Sequence, residues 1–259
     1  MATDQQLNQK FYDELSGDYH LLFTNWDEAM QQQARTLDQL IQKYATGKTE
    51  TLLDCACGIG TQALGLAQSG YNTTATDLSP KAIERAQQEA QKRQVQNISF
   101  ATADFTRLET SVKGTFDIVI ACDNALPHLL TDEVMSQALK SIASKINPGG
   151  LFLASIRDYD ALLNTRPTST LPVVNDNAGS RSIAFQVWDW ITPSTYTVNH
   201  FTLKGQGANY DTRLRQTTYR AYQRATLSLL MTACGFKAIH WLLPAASGYY
   251  QPIVIAHKS

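Results

Sequence analysis

What this chain has little of narrows it first. The formal net charge is −1 over 259 residues, so no basic excess awaits a phosphate backbone, which disfavours a nucleic-acid partner. Only four cysteines occur, Cys55, Cys57, Cys122 and Cys234, far apart except for one C-x-C. Structural zinc sites draw on closer C-x2-C pairs with further ligands, so no metal is expected. The cysteines read as reduced thiols of a cytoplasmic protein. The first twenty residues hold no apolar stretch of the kind a secretory signal needs. No apolar run approaches the length of a membrane-spanning helix, so no membrane partner is expected. Internal repeats and low-complexity tracts are absent from the sequence.

What is present is a core. Hydrophobic residues make up 43% of the chain and charged residues 17%, as in a packed soluble domain. From Thr51 onward, short apolar runs alternate with helical patterns. "TLLDCAC" reads as a strand and "TQALGLAQSG" as a helix closed by Gly70; "NTTATDL" is a second strand. "SPKAIERAQQEAQKRQ" places Ser79 as a helix cap with Pro80 at the first position. "ISFATADF" and "DIVIACDN" are strands three and four. "TDEVMSQALKSIASKI" is an amphipathic helix stopped by "NPGG", and "LFLASIR" is strand five. Strand–helix alternation at this spacing predicts βαβ units and a mostly parallel sheet covered on both faces.

Beyond Leu163 the pattern changes. "TRPTSTLPVVNDNAGS" reads as a loop, followed by three segments rich in aromatic and β-branched residues, "RSIAFQVWDW", "TYTVNHFTLK" and "TRLRQTTYRAY". These predict an antiparallel β extension inserted after strand five. "ATLSLLMTACGF" is then a helix, and "KAIHWLL" with "QPIVIAHK" returns to the sheet as a closing pair. The expected organisation is an N-terminal helical lid over 1–48, an α/β core over 49–165 and 223–259, and an inserted β subdomain over 166–222. Within the N-terminal segment Tyr12, Tyr19, Phe23 and Trp26 form an aromatic stripe, read either as core packing or as a lid over a bound ligand.

Ligands of open parallel sheets lie beyond the carboxyl ends of the strands. Asp54, Asp77, Asp104, Asp123 and Arg157 each fall at or just past the end of a different strand, so they share one edge. Arg157 raises its own question: a buried strand seldom finishes on an arginine unless the charge has a partner. Asp158 or Asp123 could serve.

"LLDCACGIGTQALGLA" sets D-x-A-C-G-I-G between strand one and a helix. A lone G-x-G suits both dinucleotides and S-adenosylmethionine. Asp54, at the strand end, would repel a pyrophosphate and welcome an α-ammonium group. Asp77 can accept both ribose hydroxyls, and Asp104 with the Phe105 backbone faces an adenine edge. A nucleoside with a cationic tail fits better than a dinucleotide.

Over Thr51 to Arg157 the chain resembles the class I S-adenosylmethionine-dependent methyltransferases. The resemblance implies a Rossmann-like, seven-stranded, mostly parallel sheet with its last strand antiparallel. It implies S-adenosyl-L-methionine as cofactor, with Gly58 and Gly60 under the methionine part, Asp77 at the ribose, and Asp104 and Phe105 at the adenine. Ala56, Leu78, Cys122 and His128 complete the implied cofactor set, with Tyr19 and Trp26 from the lid. More narrowly, "ACDNALPHLL…ALKSIASKINPGGLFLASIRDYDALL" and "NWDEAMQQQ" are similar to segments of the glycine and glycine/sarcosine N-methyltransferases. That likeness puts Asn124 near the methyl-transfer centre and gives Arg157 a substrate carboxylate to bind. "RDYD" here replaces the group's Arg-Asn-Tyr-Asp, and Asp123 and Pro127 also depart from its pattern.

Methyl transfer from a sulfonium is an in-line displacement that asks mainly for alignment and exclusion of water. An alkyl ammonium acceptor must first lose a proton, so a base is desirable but not obligatory. His128 and Asp123 are the candidate bases, with Asn124 beside them. Tyr159, Trp188, Tyr219 and Tyr249 join Arg157 as candidate acceptor contacts. The leading expectation is methylation of a small-molecule amine. An O- or S-methyltransferase of a small metabolite is the near alternative, and a non-catalytic cofactor-binding protein a further one.

Overall fold

The computed structural model describes residues 3–177 and 180–258. Positions 178 and 179 of the segment read as a loop fall outside them. Two helices lead the chain, α1 (Asp4–Leu15) and α2 (Trp26–Tyr44), joined through a 3₁₀ turn at Tyr19–Leu22. Then come β1 (Thr51–Asp54), α3 (Thr61–Gln68), β2 (Asn72–Asp77), α4 (Pro80–Lys92), β3 (Ile98–Thr102), α5 (Leu108–Ser111), β4 (Phe116–Ala121), α6 (Asp132–Ser144) and β5 (Ile146–Ser155). After α7 (Tyr159–Thr165) the strands β6 (Val173–Asn177), β7 (Ser180–Trp190), β8 (Thr195–Gln206) and β9 (Asn209–Arg220) follow. The chain closes with α8 (Arg224–Ala233), β10 (Phe236–Leu242), α9 (Pro244–Ser247) and β11 (Ile253–Lys258).

One sheet has seven strands in the order β10-β11-β5-β4-β1-β2-β3. Only β11 runs against its neighbours, pairing antiparallel with β5 and with β10. The order reverses between β1 and β4, which places the switch point beside the glycine loop. The central strands are apolar on both sides because both sides are covered. In β4, Val119 and Ala121 face a core shared with α6, α8 and the insertion, while Ile118 and Ile120 face a second core with Leu37, Leu40 and Ile41 of α2. Strands β5 and β11 split the same way: Phe152 and Val254 join the first core, Leu153 and Ile255 the second.

The second sheet is the antiparallel meander β6-β7-β8-β9. Strand β6 corrects the expected loop: Val173 pairs with Ala184 and Asn175 with Ser182. Two adjacent valines supply the strand, but the surrounding Pro, Thr, Asn and Gly obscure them. Strand β5 also starts earlier than expected, taking "NPGG" into its extended course, with a register irregularity between Phe116 and Ile118 of β4.

Local sequence sets the site-bearing ends. Ser79 caps α4 by accepting from the Ala82 N–H, with Pro80 at the first turn. Helices α2 and α3 pack closely at Gly65, where a Cβ would stand 2.6 Å from the Ala34 methyl and 3.0 Å from the Met30 carbonyl oxygen. After β4 the chain turns through two consecutive non-glycine residues in the left-handed region, Asp123 (φ 58°) and Asn124 (φ 65°). Such backbone costs about 1–2 kcal/mol per residue and is held by surrounding bonds. The Asp123 N–H donates to Ser155 Oγ at 2.8 Å, and the Asn124 N–H to the Ser155 carbonyl at 3.0 Å.

Candidate active site

A cavity of about 430 Å³ opens at the carboxyl ends of β1–β4, within the range of small-molecule sites. Cys55–Gly58, Asp77, Leu78, Asp104, Phe105, Cys122, Asp123 and His128 all border it. Of the acids predicted for one edge, Asp77, Asp104 and Asp123 border the cavity, while Asp54 lies buried and is not among its lining residues.

Each acid meets a distinct environment. Asp54 is fully buried beneath the loop; Oδ1 accepts from the Ala56 N–H at 3.2 Å, and Oδ2 has no partner. Burial raises its pKa to about 8. Asp77 accepts from the N–H groups of Gly58 (2.8 Å) and Ser79 (2.9 Å), and burial raises its pKa too. Asp104 accepts from Gln5 Nε2 (2.7 Å) and the Thr106 hydroxyl (2.6 Å). Gly58 sits at φ 53° with open space where a Cβ would go, so a ligand can approach its backbone.

Helix α1 lies across this cavity. Gln5, Asn8 and Tyr12 border it and, spaced three and four apart, share one helix face. Tyr12 Oη is 2.7 Å from His128 Nε2, Asn8 Oδ1 accepts from Thr217 Oγ1 at 2.8 Å, and Asp13 accepts from Ser79 Oγ at 2.6 Å. His128 is packed between Tyr12 and Tyr219, the latter ring 4.2 Å away between centroids. Burial, with the nearby Arg157 charge, lowers its pKa to about 3. It is therefore a neutral imidazole and a weak proton acceptor. Asp123 accepts from Tyr19 Oη at 2.5 Å and from the Tyr250 hydroxyl.

Arg157 occupies a cage without an acid. Its Nη1 donates to Tyr196 Oη (2.8 Å) and its Nη2 to Gln186 Oε1 (2.9 Å). The guanidinium lies over Trp188 and over Tyr219, at 4.6 and 5.1 Å from their ring centroids. Asp158 is taken by Arg224 at 2.6 Å, and Asp123 by the two tyrosines. Neither acid weighed from the sequence pairs with Arg157. Burial works against the guanidinium charge, but Tyr196, Tyr159 and Tyr219 around it outweigh that and hold its pKa above the usual value, so it stays charged. Beside it, Asn124 Oδ1 accepts from the Arg157 N–H (3.0 Å) and from Tyr159 Oη (3.0 Å), while its buried Nδ2 has no partner.

Some expected site residues stand back from the cavity. Trp26 packs with Met30, Ile59, Leu64 and Ala90, and its indole N–H donates to Thr61 Oγ1 at 2.9 Å, so it supports the wall from behind. Gly60 caps α3 at φ 95°, and a Cβ there would crowd the Leu64 side chain at 2.9 Å. Tyr249 is buried and donates to Gln33 Oε1 at 2.8 Å. Tyr159 is buried among Asn124 and Tyr196. Trp188 and Tyr219 do meet Arg157. Gln5, Asn8, Tyr196, Gln186 and Tyr250 went unread in the sequence; only the spacing on α1 carried a signal.

Residues 52–150 match the methyltransferase domain family. The glycine/sarcosine N-methyltransferase of Parasynechococcus marenigrum is 28% identical over 141 residues, covering 53% of this chain and 50% of that protein. Human glycine N-methyltransferase is 32% identical over 129 residues, covering 45% and 43%. This chain thus spans about half the length of the curated relatives it matches. Among solved structures, DesVI of Streptomyces venezuelae superposes with a TM-score of 0.75 at 15% identity, over 100% of both chains. The sugar N-methyltransferase KedS8 from Streptoalloteichus gives 0.73 at 14%, over 88% of this chain and 87% of that one.

The fold is the Rossmann-like one of solved S-adenosylmethionine-dependent methyltransferases, and residues 52–150 match the methyltransferase domain. The residues present fit such a donor. The open face of Gly58 admits close approach, Asp77 and Asp104 offer acceptor oxygens along the cavity, and behind Cys55 and Ala56 of its wall the unpartnered, buried Asp54 oxygen suits a cationic nitrogen.

Proposed function

We propose that this protein transfers a methyl group from S-adenosylmethionine to the nitrogen of a small amine that also bears a carboxylate. One observation carries the reading: Arg157, charged and caged at the end of β5, has no carboxylate partner among the described residues. Tyr196 and Gln186 use two of its N–H groups, and a guanidinium has five. The rest suit a planar carboxylate gripped through parallel hydrogen bonds.

Asp54 would hold the donor's ammonium group, Asp77 its ribose hydroxyls, and Asp104 with Phe105 its adenine. The bound donor supplies an activated methyl group on a sulfonium. The chain's own residues then orient and enclose. Arg157 fixes the acceptor's carboxylate, and the spare Asn124 amide donor marks the adjoining polar point. Tyr12 and Tyr19 wall the space against water, with Tyr219 packed behind His128. Neutral His128 is too weak a base to keep an ammonium proton. Asp123 already accepts from two tyrosines. The amine therefore enters in its neutral form, and the rate follows the acceptor's own ionisation upward with pH.

The deciding experiment is methyl transfer from labelled S-adenosylmethionine to paired acceptors, each amine with and without its carboxylate. It is run on the wild type and on Arg157→Ala. Carboxylated amines should be methylated and the variant should lose those alone. Equal turnover of both kinds by both proteins would remove the carboxylate and leave a methyltransferase of another acceptor.

A further inference from the structure

Arg157 does not border the first cavity; it borders a separate one of about 490 Å³. This cavity lies between β7, the 3₁₀ turn after α1 and the ends of β5 and β11. Its wall is mostly carbon: Leu22, Leu162, Val173, Phe185 and Trp188 face it. Arg157 and Asp158 are its only charged lining residues, and Asp158 is bound to Arg224. At the mouth Leu171 is 89% exposed, although a free surface leucine gains nothing from that position. The two cavities meet at one partition. Tyr250 borders the apolar cavity, Asp123 borders the other, and the Tyr250 hydroxyl donates to Asp123.

We propose that the apolar cavity receives the carbon skeleton of the acceptor. The substrate is then an amine whose carboxylate meets Arg157 and which carries a sizeable aliphatic or aromatic group. This rests on the carboxylate reading of Arg157 and goes beyond it. A two-carbon amino acid would leave the carbon-lined space to water, whereas a larger side chain buries surface there at a gain that grows with each methylene. With Asp158 neutralised by Arg224, one cation without an acid in a largely apolar wall is the pattern of a site that orients an amphipathic anion.

Binding to the full chain, followed by isothermal titration calorimetry, separates the two parts. The probes are acetate, 4-phenylbutyrate and 4-phenylbutanol. We expect 4-phenylbutyrate to bind at least tenfold more tightly than either of the others. Arg157→Met should reduce it to the level of the alcohol, and Leu171→Ser with Leu162→Ser should reduce it toward acetate. The wild-type ranking alone decides the matter should a variant fail to fold. If acetate equals 4-phenylbutyrate, the apolar cavity is not the acceptor's and the carboxylate reading survives. If the alcohol equals 4-phenylbutyrate, Arg157 is not a clamp. If neither apolar probe binds, the proposal is overturned. Methyl transfer to phenylalanine and leucine in preference to glycine would support it.

Discussion

The Arg157 guanidinium carbon lies 4.6 Å from the centroid of the Trp188 ring, and both side chains hydrogen-bond to Gln186 Oε1. One glutamine oxygen thus fixes the cation and the aromatic face beneath it. Gln186→Leu should free both side chains while leaving the charge in place. Acceptor KM should rise about tenfold or more, the loss of one to two oriented hydrogen bonds, with donor affinity unchanged. Steady-state kinetics with each substrate varied in turn would show it, and an equal effect on donor KM would contradict it.

On the proposed placement of the donor's ammonium group, Asp54 should make donor binding depend on pH. Its pKa of about 8 in the free protein means it is protonated at pH 7, and pairing with an ammonium requires it ionised. Binding of S-adenosylhomocysteine at pH 6–7 should therefore release a proton. Affinity should climb by up to about tenfold per pH unit toward pH 8. Calorimetry in buffers of different ionisation enthalpy reads the proton directly. Asp54→Asn should abolish the release and weaken binding.

Stability should fall in mild acid, by opposed contributions. His128 and His200 are held neutral by burial, to about 3 and about 4. In the unfolded chain they protonate near pH 6.5 (roughly). Stability present above that point is lost as pH drops, by about 2.7 kcal/mol per unit for the pair. Asp54 acts in reverse. It is protonated when folded and ionised when unfolded above about pH 4, so acidification stabilises the fold by about 1.4 kcal/mol per unit. Between pH 6 and 4.5 the net slope is the histidine loss less the gain from Asp54 and from Asp77, whose pKa burial also raises. Thermal melts across that window should fall, and Asp54→Asn should steepen the fall. A flat or rising midpoint would show that the histidines are not held neutral.

Asn124 combines backbone strain with two accepted bonds. Asn124→Ala keeps the left-handed φ, strips the acceptor from the Arg157 N–H and Tyr159 Oη, and places a poorer residue in that region. Urea unfolding should show a loss of about 2–4 kcal/mol. Asn124→Gly should recover the strain portion alone.

The parallel core was legible because burial on both sides leaves unbroken apolar runs, as in "DIVIA" and "LFLAS". Asp77, Asp104 and Asp123 were legible because each closes such a run. Helix α1 was harder. Its working face is Gln5, Asn8 and Tyr12, residue types that equally suit a solvated surface. Trp26 shows the opposite error, an aromatic beside the lid whose indole braces Thr61 from within the core. The partners of Arg157 depend on the register of β7 against β8, in which Trp190 faces Tyr196. A pairing across that insertion carries no mark in either strand alone.

Helix α1 touches Asp104 through Gln5, His128 through Tyr12 and Ser79 through Asp13. At a rise of about 1.5 Å per residue, these anchors span about 12 Å of a stiff rod. A rod cannot let go of one and keep the others aligned. The two ends of the cavity therefore share a single mechanical state: loosening at Asp104 is felt at His128 within the same movement.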